Sequence, residues 1–220
     1  MTTEVLSSTH NQNEQKPQQN VVTQNKDQMQ TTLNDPNVKF PLEDSWSFWF
    51  YKNERTKSWK ENVKFITSVD FVEDFWGVYN HIQLVSKISL GCDYMFFKKD
   101  IPPMWEDPQN CDGGRWILNL DKKYHNQGLD MYWLNTLLAL IGDQFFEEGP
   151  YVNGVWVNIR PKLDKIALWT KSAKNAEVQM RIGRRFKEIL NLRDKDTVLF
   201  YEEHQAANSG TAQDTQLYKI

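Results

Sequence analysis

Residues 155–160, Val-Trp-Val-Asn-Ile-Arg, and residues 165–170, Lys-Ile-Ala-Leu-Trp-Thr, read as two strands joined by Pro161-Lys-Leu-Asp164. Side chains alternate across a strand with period two. Trp156, Asn158, Arg160, Lys165 and Trp169 therefore share one side. Val155, Val157, Ile159, Ile166 and Leu168 share the other. One face is aliphatic and the opposite face aromatic and basic. A regular hairpin sets Arg160 against Lys165, Asn158 against Ala167 and Trp156 against Trp169. Opposed like charges are unfavourable, so the Arg–Lys pair points to an anion between them. A twisted hairpin with both side chains splayed into water is the alternative. The aliphatic face calls for helices to cover it, and the other face stays free for a ligand.

The rest of the chain supplies both layers. Trp46-Ser-Phe-Trp-Phe-Tyr51 is a strand apolar on both sides, hence interior to a sheet. Lys52 to Ser58 is a polar loop that Trp59 ends, and Asn62 to Ile66 is a short strand. Asp70-Phe-Val-Glu73 has the spacing of a capping box and predicts a helix to about residue 83. That helix carries two stripes, Phe75, Val78 and Ile82 facing a core, and Val72 with Trp76 on another side. Asp93 to Lys98 is a strand, and Gly113-Gly114 turns the chain into Arg115–Leu120. The helix Leu129–Ile141, closed by Gly142, is likewise two-sided, with Trp133, Leu137, Leu140 and Ile141 against Leu134 and Leu138. Asn153-Gly154 reads as a turn, Asn175–Leu190 as an amphipathic helix with a solvated basic face, and Thr197–Glu203 as a last strand. The fold expected is α+β, a mostly antiparallel sheet of about eight strands with three helices on one face. Residues 1–38, rich in Gln, Asn and Thr, read as a disordered tail, residues 39–205 as the folded domain and residues 206–220 as a flexible tail.

With 220 residues, net charge −3 and a pI near 5.8, the chain is unlike a protein that tracks a long phosphate backbone over its whole surface. A local basic cluster can still hold a small anion. Cys92 and Cys111 fit neither a metal spacing nor a disulfide framework and read as reduced thiols. No apolar run reaches membrane length, and the N-terminus lacks signal-peptide order. There is no P-loop, no Gly-x-Ser-x-Gly, no His–Cys metal set and no dense carboxylate run, so an enzyme is not expected. The nine tryptophans exceed what one core of this size absorbs, which puts some of them at surfaces.

Ile101-Pro-Pro-Met-Trp-Glu-Asp107 sets one such tryptophan beside carboxylates in a loop stiffened by two prolines. There Trp105 can offer a flat face, and Glu106 can accept from the adjacent N1–H and N2–H₂ donors of a guanine. The competing expectation is a loop aromatic folded onto the body with Glu106 solvated. Trp59, Trp105 and Trp169 all lie near the basic hairpin, and two indoles can sandwich a ring. Stacking is worth roughly 1–3 kcal/mol per base, and cation–π attraction adds up to about 2 kcal/mol if the ring is charged. Guanine methylated at N7 is such a ring, and Arg160, Lys162 and Lys165 would hold its phosphates. Together these parts describe 7-methylguanosine triphosphate, the mRNA 5′ cap.

From Phe40 to about His204 the chain resembles the eukaryotic cap-binding translation initiation factors of the 4E family. The resemblance is carried in order by Trp46-Ser-Phe-Trp-Phe-Tyr-Lys-Asn53, Val72-Glu-Asp-Phe-Trp-Gly-Val-Tyr-Asn-His-Ile82, Met104-Trp-Glu-Asp107, Gly113-Gly-Arg-Trp116, Leu137-Leu-Ala-Leu-Ile-Gly142 and Ile166-Ala-Leu-Trp-Thr-Lys171. It implies a curved sheet with three helices on its convex back and the cap in its concave side. It implies that Trp59 and Trp105 sandwich the base, that Glu106 reads guanine, and that Trp169 meets the N7-methyl group. Arg160 and Lys162 would bind the phosphates, supported by Arg115, Asn158 and Lys165. On the back, Pro41, Val72, Trp76, Leu134, Asn135 and Leu138 would bind a helical Tyr-x-x-x-x-Leu-hydrophobic motif of a 4G-type scaffold and of 4E-binding repressors. The resemblance implies a monomer that recruits capped mRNA to the ribosome, with no cofactor and no membrane contact, in the cytoplasm with the nucleus as second compartment. Phe40 departs from the family's usual His, and Asn135 from the acidic residue of many members. A translational repressor of the same superfamily is one alternative, but such members commonly replace the first sandwich tryptophan, and Trp59 is retained. A protein-only adaptor is the other.

Overall fold

The computed structural model describes residues 38–126, 128–192, 198–205 and 216–220. Residues 1–37 of the expected N-terminal tail and 206–215 of the expected C-terminal tail lie outside them. In the unit Phe40–Ile220 the elements run β1 (Pro41–Tyr51), α1 (Trp59–Asn62), β2 (Val63–Phe71), α2 (Val72–Tyr79), β3 (Asp93–Lys98), β4 (Gly114–Asp121), α3 (Leu129–Ile141), β5 (Val152–Asn158), β6 (Leu163–Thr170), α4 (Ala176–Ile189), β7 (Phe200–Glu203) and β8 (Gln216–Lys219). Short 3₁₀ turns occupy Val85–Lys87, Lys122–Tyr124 and Phe146–Tyr151.

The eight strands form one curved sheet in the order β2-β1-β3-β5-β6-β4-β7-β8, and every pairing is antiparallel. The period-two pattern sorts its faces. Trp46, Phe48, Tyr94, Phe96, Trp116, Leu118, Val155, Val157, Ile166 and Leu168 join the helices in the main core. From α2, α3 and α4 come Phe75, Trp133, Leu137, Val178, Ile182 and Phe186, all buried. Val63, Met95, Phe97, Ile117, Trp156, Ala167 and Trp169 form a second apolar layer on the opposite face. The expected α+β class, the sheet and its three longer helices are thus present.

Several local expectations are corrected. The β5–β6 hairpin pairs Asn158 with Lys165, Trp156 with Ala167 and Gly154 with Trp169, two residues off the expected register. A two-residue slip keeps every side chain on its face, so the face assignment survives while the Arg160–Lys165 pair does not exist. Asn153-Gly154 is not a turn but lies within β5, at a register shift. The Asp70 capping box does not form. Phe71 takes the N-cap of α2 without a side-chain bond, because Asp70 accepts from Ser45 and Glu73 from the Phe40 amide at 3.0 Å. A capping box appears instead at Ser58 and Glu61, opening α1 between the expected loop and strand, so that Asn62 ends a helical turn and β2 starts at Val63. The flexible tail expected over 206–220 is corrected at its end, where β8 pairs with β7, and Tyr218 and Ile220 pack against the main core.

Gly113 and Gly114 are required by close approach. A Cβ at Gly113 would lie 1.8 Å from the Thr170 carbonyl oxygen, and at Gly114 2.2 Å from that of Glu202. Gly154 is similar, with Phe97 Cγ at 2.5 Å and Phe96 O at 2.6 Å, whereas nothing lies within 4 Å of a Cβ at Gly77. Gly154→Ala is therefore expected to destabilise the fold by roughly 1–3 kcal/mol through overpacking against backbone. Gly77→Ala, inside α2, is expected to stabilise it by about 0.5–1 kcal/mol. Urea unfolding of both variants checks the pair of opposite signs.

Candidate functional site

The concave face carries a cavity of about 370 Å³ lined by Trp59, Pro103, Trp105, Arg115, Trp156, Trp169 and His204. Three residues named from the sequence, Trp59, Trp105 and Trp169, thus meet at one place, and Arg115 joins them. Trp59 and Trp105 are 37% and 39% exposed, while Trp169 is 3% exposed and forms part of the wall.

Each exposed indole sits on a loop tied down by an asparagine. The buried Asn62 side chain donates to the carbonyls of Glu54 (3.1 Å) and Lys57 (3.4 Å) and accepts from the Glu54 amide (3.2 Å). This closes the 52–58 loop against α1, so that Trp59, its first residue, is fixed. The Trp59 ring lies 6.0 Å from Trp156 and 6.3 Å from Tyr51. On the other loop, Asn110 is fully buried and donates to Pro102 O (3.0 Å) and Met104 O (2.9 Å). Asn153, the residue read as a turn, is buried in β5 and donates to Gln109 O (2.7 Å) and Asn110 Oδ1 (2.9 Å). The loop stiffness inferred from two prolines is thus doubled by an amide network. Glu106 is exposed next to Trp105 and does not line the cavity.

Trp156, Trp169 and His204 form a stack behind the opening. Trp156 and Trp169 are 5.5 Å apart with planes 22° from parallel, and His204 lies 4.0 Å from Trp169. Burial, reinforced by the nearby Arg115 cation, pulls the His204 pKa down to about 3, so its ring is neutral at neutral pH. His204 Nε2, Trp169 Nε1 and Arg115 Nε are buried with no hydrogen-bond partner among the described residues.

The basic residues separate into two kinds. Arg160 forks onto Asp93, with Nη1 to Oδ1 at 2.5 Å and Nη2 to Oδ2 at 2.9 Å. Asp93, 1% exposed, also accepts from Trp156 Nε1 (3.1 Å) and Asn158 Nδ2 (2.8 Å). The anion expected between Arg160 and Lys165 is therefore corrected: Arg160 has an internal carboxylate partner. Lys162 is exposed and Lys165 half-buried, and neither has an ion-pair partner among the described residues. Arg115 meets Glu202 at 3.3 Å. Sequence reasoning missed Asp93, Trp156 and His204 as parts of this site. The face assignment already held Trp156; for Asp93 and His204 the only available sign was a polar residue in or beside an apolar strand.

On the helical face, Trp76 is 36% exposed, with edge contacts to Phe75 at 5.2 Å and Tyr79 at 5.9 Å, while Phe75 is fully buried. Val72, Leu134, Asn135 and Leu138 are half-buried, and Pro41 is exposed at the start of β1. The two-stripe reading is matched by buried Phe75 against exposed Trp76 and by buried Trp133, Leu137 and Leu140 against half-buried Leu134 and Leu138, but α2 ends at Tyr79, not near residue 83, which leaves Ile82 outside the helix. Among the described residues there is no cluster of His, Cys, Asp and Glu that could hold a metal ion, and no helix is long and apolar enough to cross a membrane.

The family model described as eukaryotic initiation factor 4E matches residues 41–218. The chain is 51% identical over 172 residues to zebrafish (Danio rerio) eukaryotic translation initiation factor 4E-1B, covering 78% of this chain and 80% of that one. It is 47% identical over 176 residues to human eukaryotic translation initiation factor 4E, covering 79% and 81%. Among solved structures it is similar to Caenorhabditis elegans eIF4E-3 in complex with the 4E-binding protein Mextli and cap analog, with 40% identity, TM-score 0.77, and coverage of 83% of this chain and 100% of that one. Ascaris suum eIF4E-3 with the m2,2,7G cap gives 40% identity, TM-score 0.79, and coverage of 83% and 99%. The family model spans most of the chain and the relatives are matched over most of their own length, so the chain belongs to the eukaryotic initiation factor 4E family.

Proposed function

We propose that this chain binds the 7-methylguanosine 5′ cap of mRNA on its concave face and a helical segment of a 4G-type scaffold on its helical face, bringing capped mRNA to the ribosome in translation initiation. The observation that carries the reading is the cavity with two exposed indoles on rigidly tied loops. An exposed indole costs apolar hydration, and here the backbone beside each of two partly exposed indoles is tied by a buried asparagine. Trp59 and Trp105 sandwich the charged base, Glu106 accepts from N1–H and N2–H₂ of guanine, and Trp169 meets the N7-methyl edge. Phosphates extend to Lys162 and Lys165, with Arg160, Arg115 and Asn158 setting the surrounding charge and hydrogen bonds. His204, kept neutral beside Trp169, adds no repulsion to the methylated cation.

Pro41, Val72, Trp76, Leu134, Asn135 and Leu138 take the apolar face of a Tyr-x-x-x-x-Leu-hydrophobic helix, from the scaffold or from a 4E-binding repressor. The cap-binding domain starts near residue 39 and includes β8. Its compartment is the cytoplasm, with the nucleus as second. Retention of Trp59 favours initiation over repression.

7-Methyl-GTP is expected to bind at least about 100-fold more tightly than GTP, because roughly 2.7 kcal/mol is within reach of two desolvated cation–π contacts. Titration by tryptophan fluorescence decides it, and equal affinities would sink the reading. In the same titration Glu106→Ala is expected to cost more than about 2 kcal/mol, since two base donors are left unpaired.

The two cations of the hairpin should behave differently. Lys162→Ala is expected to weaken 7-methyl-GTP much more than unphosphorylated 7-methylguanosine while leaving the melting temperature unchanged. Arg160→Ala removes the charged donor from buried Asp93, which keeps Trp156 and Asn158, and is expected to lower stability as well, by about 1–3 kcal/mol. Calorimetric melting of both variants separates the two.

Trp76→Ala is expected to leave 7-methyl-GTP affinity and the melting temperature nearly unchanged, because Phe75 supplies the core contact. It should weaken a Tyr-x-x-x-x-Leu peptide by about 2 kcal/mol or more, as truncation of a groove aromatic does. Fluorescence polarisation with a labelled peptide reads this; an unfolded variant, or unchanged peptide affinity, means the stripes are misassigned.

A further inference from the structure

A second buried carboxylate, Asp164, lies at the root of the hairpin connection and is fully buried. Its Oδ1 accepts from Lys122 Nζ at 2.5 Å and from the Arg160 backbone N–H at 3.3 Å, and its Oδ2 faces His125 Nδ1 at 2.7 Å. The other ring nitrogen, Nε2, lies 2.9 Å from the Ser86 carbonyl oxygen. Both neighbours of the ring are acceptors only. The ring thus bridges the buried carboxylate and a backbone carbonyl of another segment. Ser86 in turn donates its N–H (2.9 Å) and Oγ–H (2.6 Å) to the Asp130 carboxylate in the first turn of α3. An unbroken line of hydrogen bonds therefore runs from the Arg160 amide through Asp164, His125 and Ser86 to the start of α3.

We infer that His125 is a positioning residue for phosphate binding. It rests on the proposed reading of Lys162 and Lys165 as phosphate ligands. The connection after β5 is pinned twice: Asp93 holds the Arg160 guanidinium, and Asp164 holds the Arg160 backbone amide. A carboxylate in a fully buried position needs partners on both oxygens. Lys122 and His125 are those side-chain partners, and the His125 ring also reaches Ser86 and through it α3. Removing it frees the connection that carries Lys162 without touching the tryptophans, so the loss falls on the phosphates and not on the base.

The test compares 7-methyl-GTP with unphosphorylated 7-methylguanosine on the full chain. His125→Leu is expected to weaken 7-methyl-GTP about fivefold and 7-methylguanosine less than about twofold, the scale of one ordinary hydrogen bond lost from the connection. His125→Arg restores several N–H donors toward the same acceptors, and is expected to recover 7-methyl-GTP affinity to within about twofold of the unaltered protein. If circular dichroism shows that His125→Leu does not fold, Lys122→Met, at the more exposed cation, carries the same comparison with the same expected split. Equal losses for both ligands, no loss for either, or no recovery with arginine overturns the positioning role. An unaltered protein that holds 7-methylguanosine as tightly as 7-methyl-GTP instead overturns the phosphate reading beneath it, a result distinguished by being seen before any substitution is made.

Discussion

The open face of this sheet is organised by one constraint: a carboxylate buried in it must be fully compensated. Asp93 is 1% exposed and sits at the start of β3, paired with Tyr51 of β1 on one side and Asn158 of β5 on the other. An ionised carboxylate in such a place costs several kcal/mol unless donors surround it. Trp156, Asn158 and Arg160 provide those donors, and each is thereby fixed. The Trp156 indole, held at its nitrogen, is the backing on which Trp169 stacks and against which Trp59 rests. The guanidinium, held by a bidentate fork, sets where the chain leaves β5. The aromatic wall and the basic end of the site are thus positioned by the same two oxygens.

The two faces of the sheet were legible because period-two alternation depends only on local geometry. Val155, Val157, Ile166 and Leu168 went to the helices, and Trp156 and Trp169 to the open side, as the pattern required. Register was not legible, because sliding the hairpin by two residues leaves that pattern unchanged. The connection itself is tied by a bond that the alternation does not report, from the Arg160 amide to the buried Asp164 side chain. The capping box at Asp70 failed because Ser45, 25 residues away, competes for the carboxylate. Strand β8 was missed because its partner β7 lies across a polar stretch that reads as a tail.

For the site, the tryptophans were visible from the sequence as aromatics too numerous for a core and placed in loops. Their convergence on one cavity was not visible, since it depends on the β5–β6–β4 order, which brings Arg115 of β4 beside Trp169 of β6. The asparagines that hold the loops were invisible for a different reason. Asn62, Asn110 and Asn153 look like turn residues, and turn propensity reports the same hydrogen-bonding capacity that here serves distant backbone carbonyls. A polar residue that seems to break a strand can instead be the one that ties a loop to it.

An acidic chain that binds an anion is no contradiction once the cations are sorted by partner. Many are already matched: Lys98 with Asp44, Lys99 with Asp70, Arg181 with Glu148 and Glu177, and Arg185 with Glu188. Their fields largely cancel at a distance, and at physiological ionic strength charges more than about 8 Å away are screened in any case. Near the hairpin the balance is different. Lys162 and Lys165 have no ion-pair partner among the described residues, and the Asp93 and Asp164 charges beneath them are each met by a cation of their own. What a ligand at the cavity mouth meets is this local excess, not the net charge of −3. The buried carboxylates do not oppose anion binding, because they hold in place the side chains and backbone from which the unmatched lysines project.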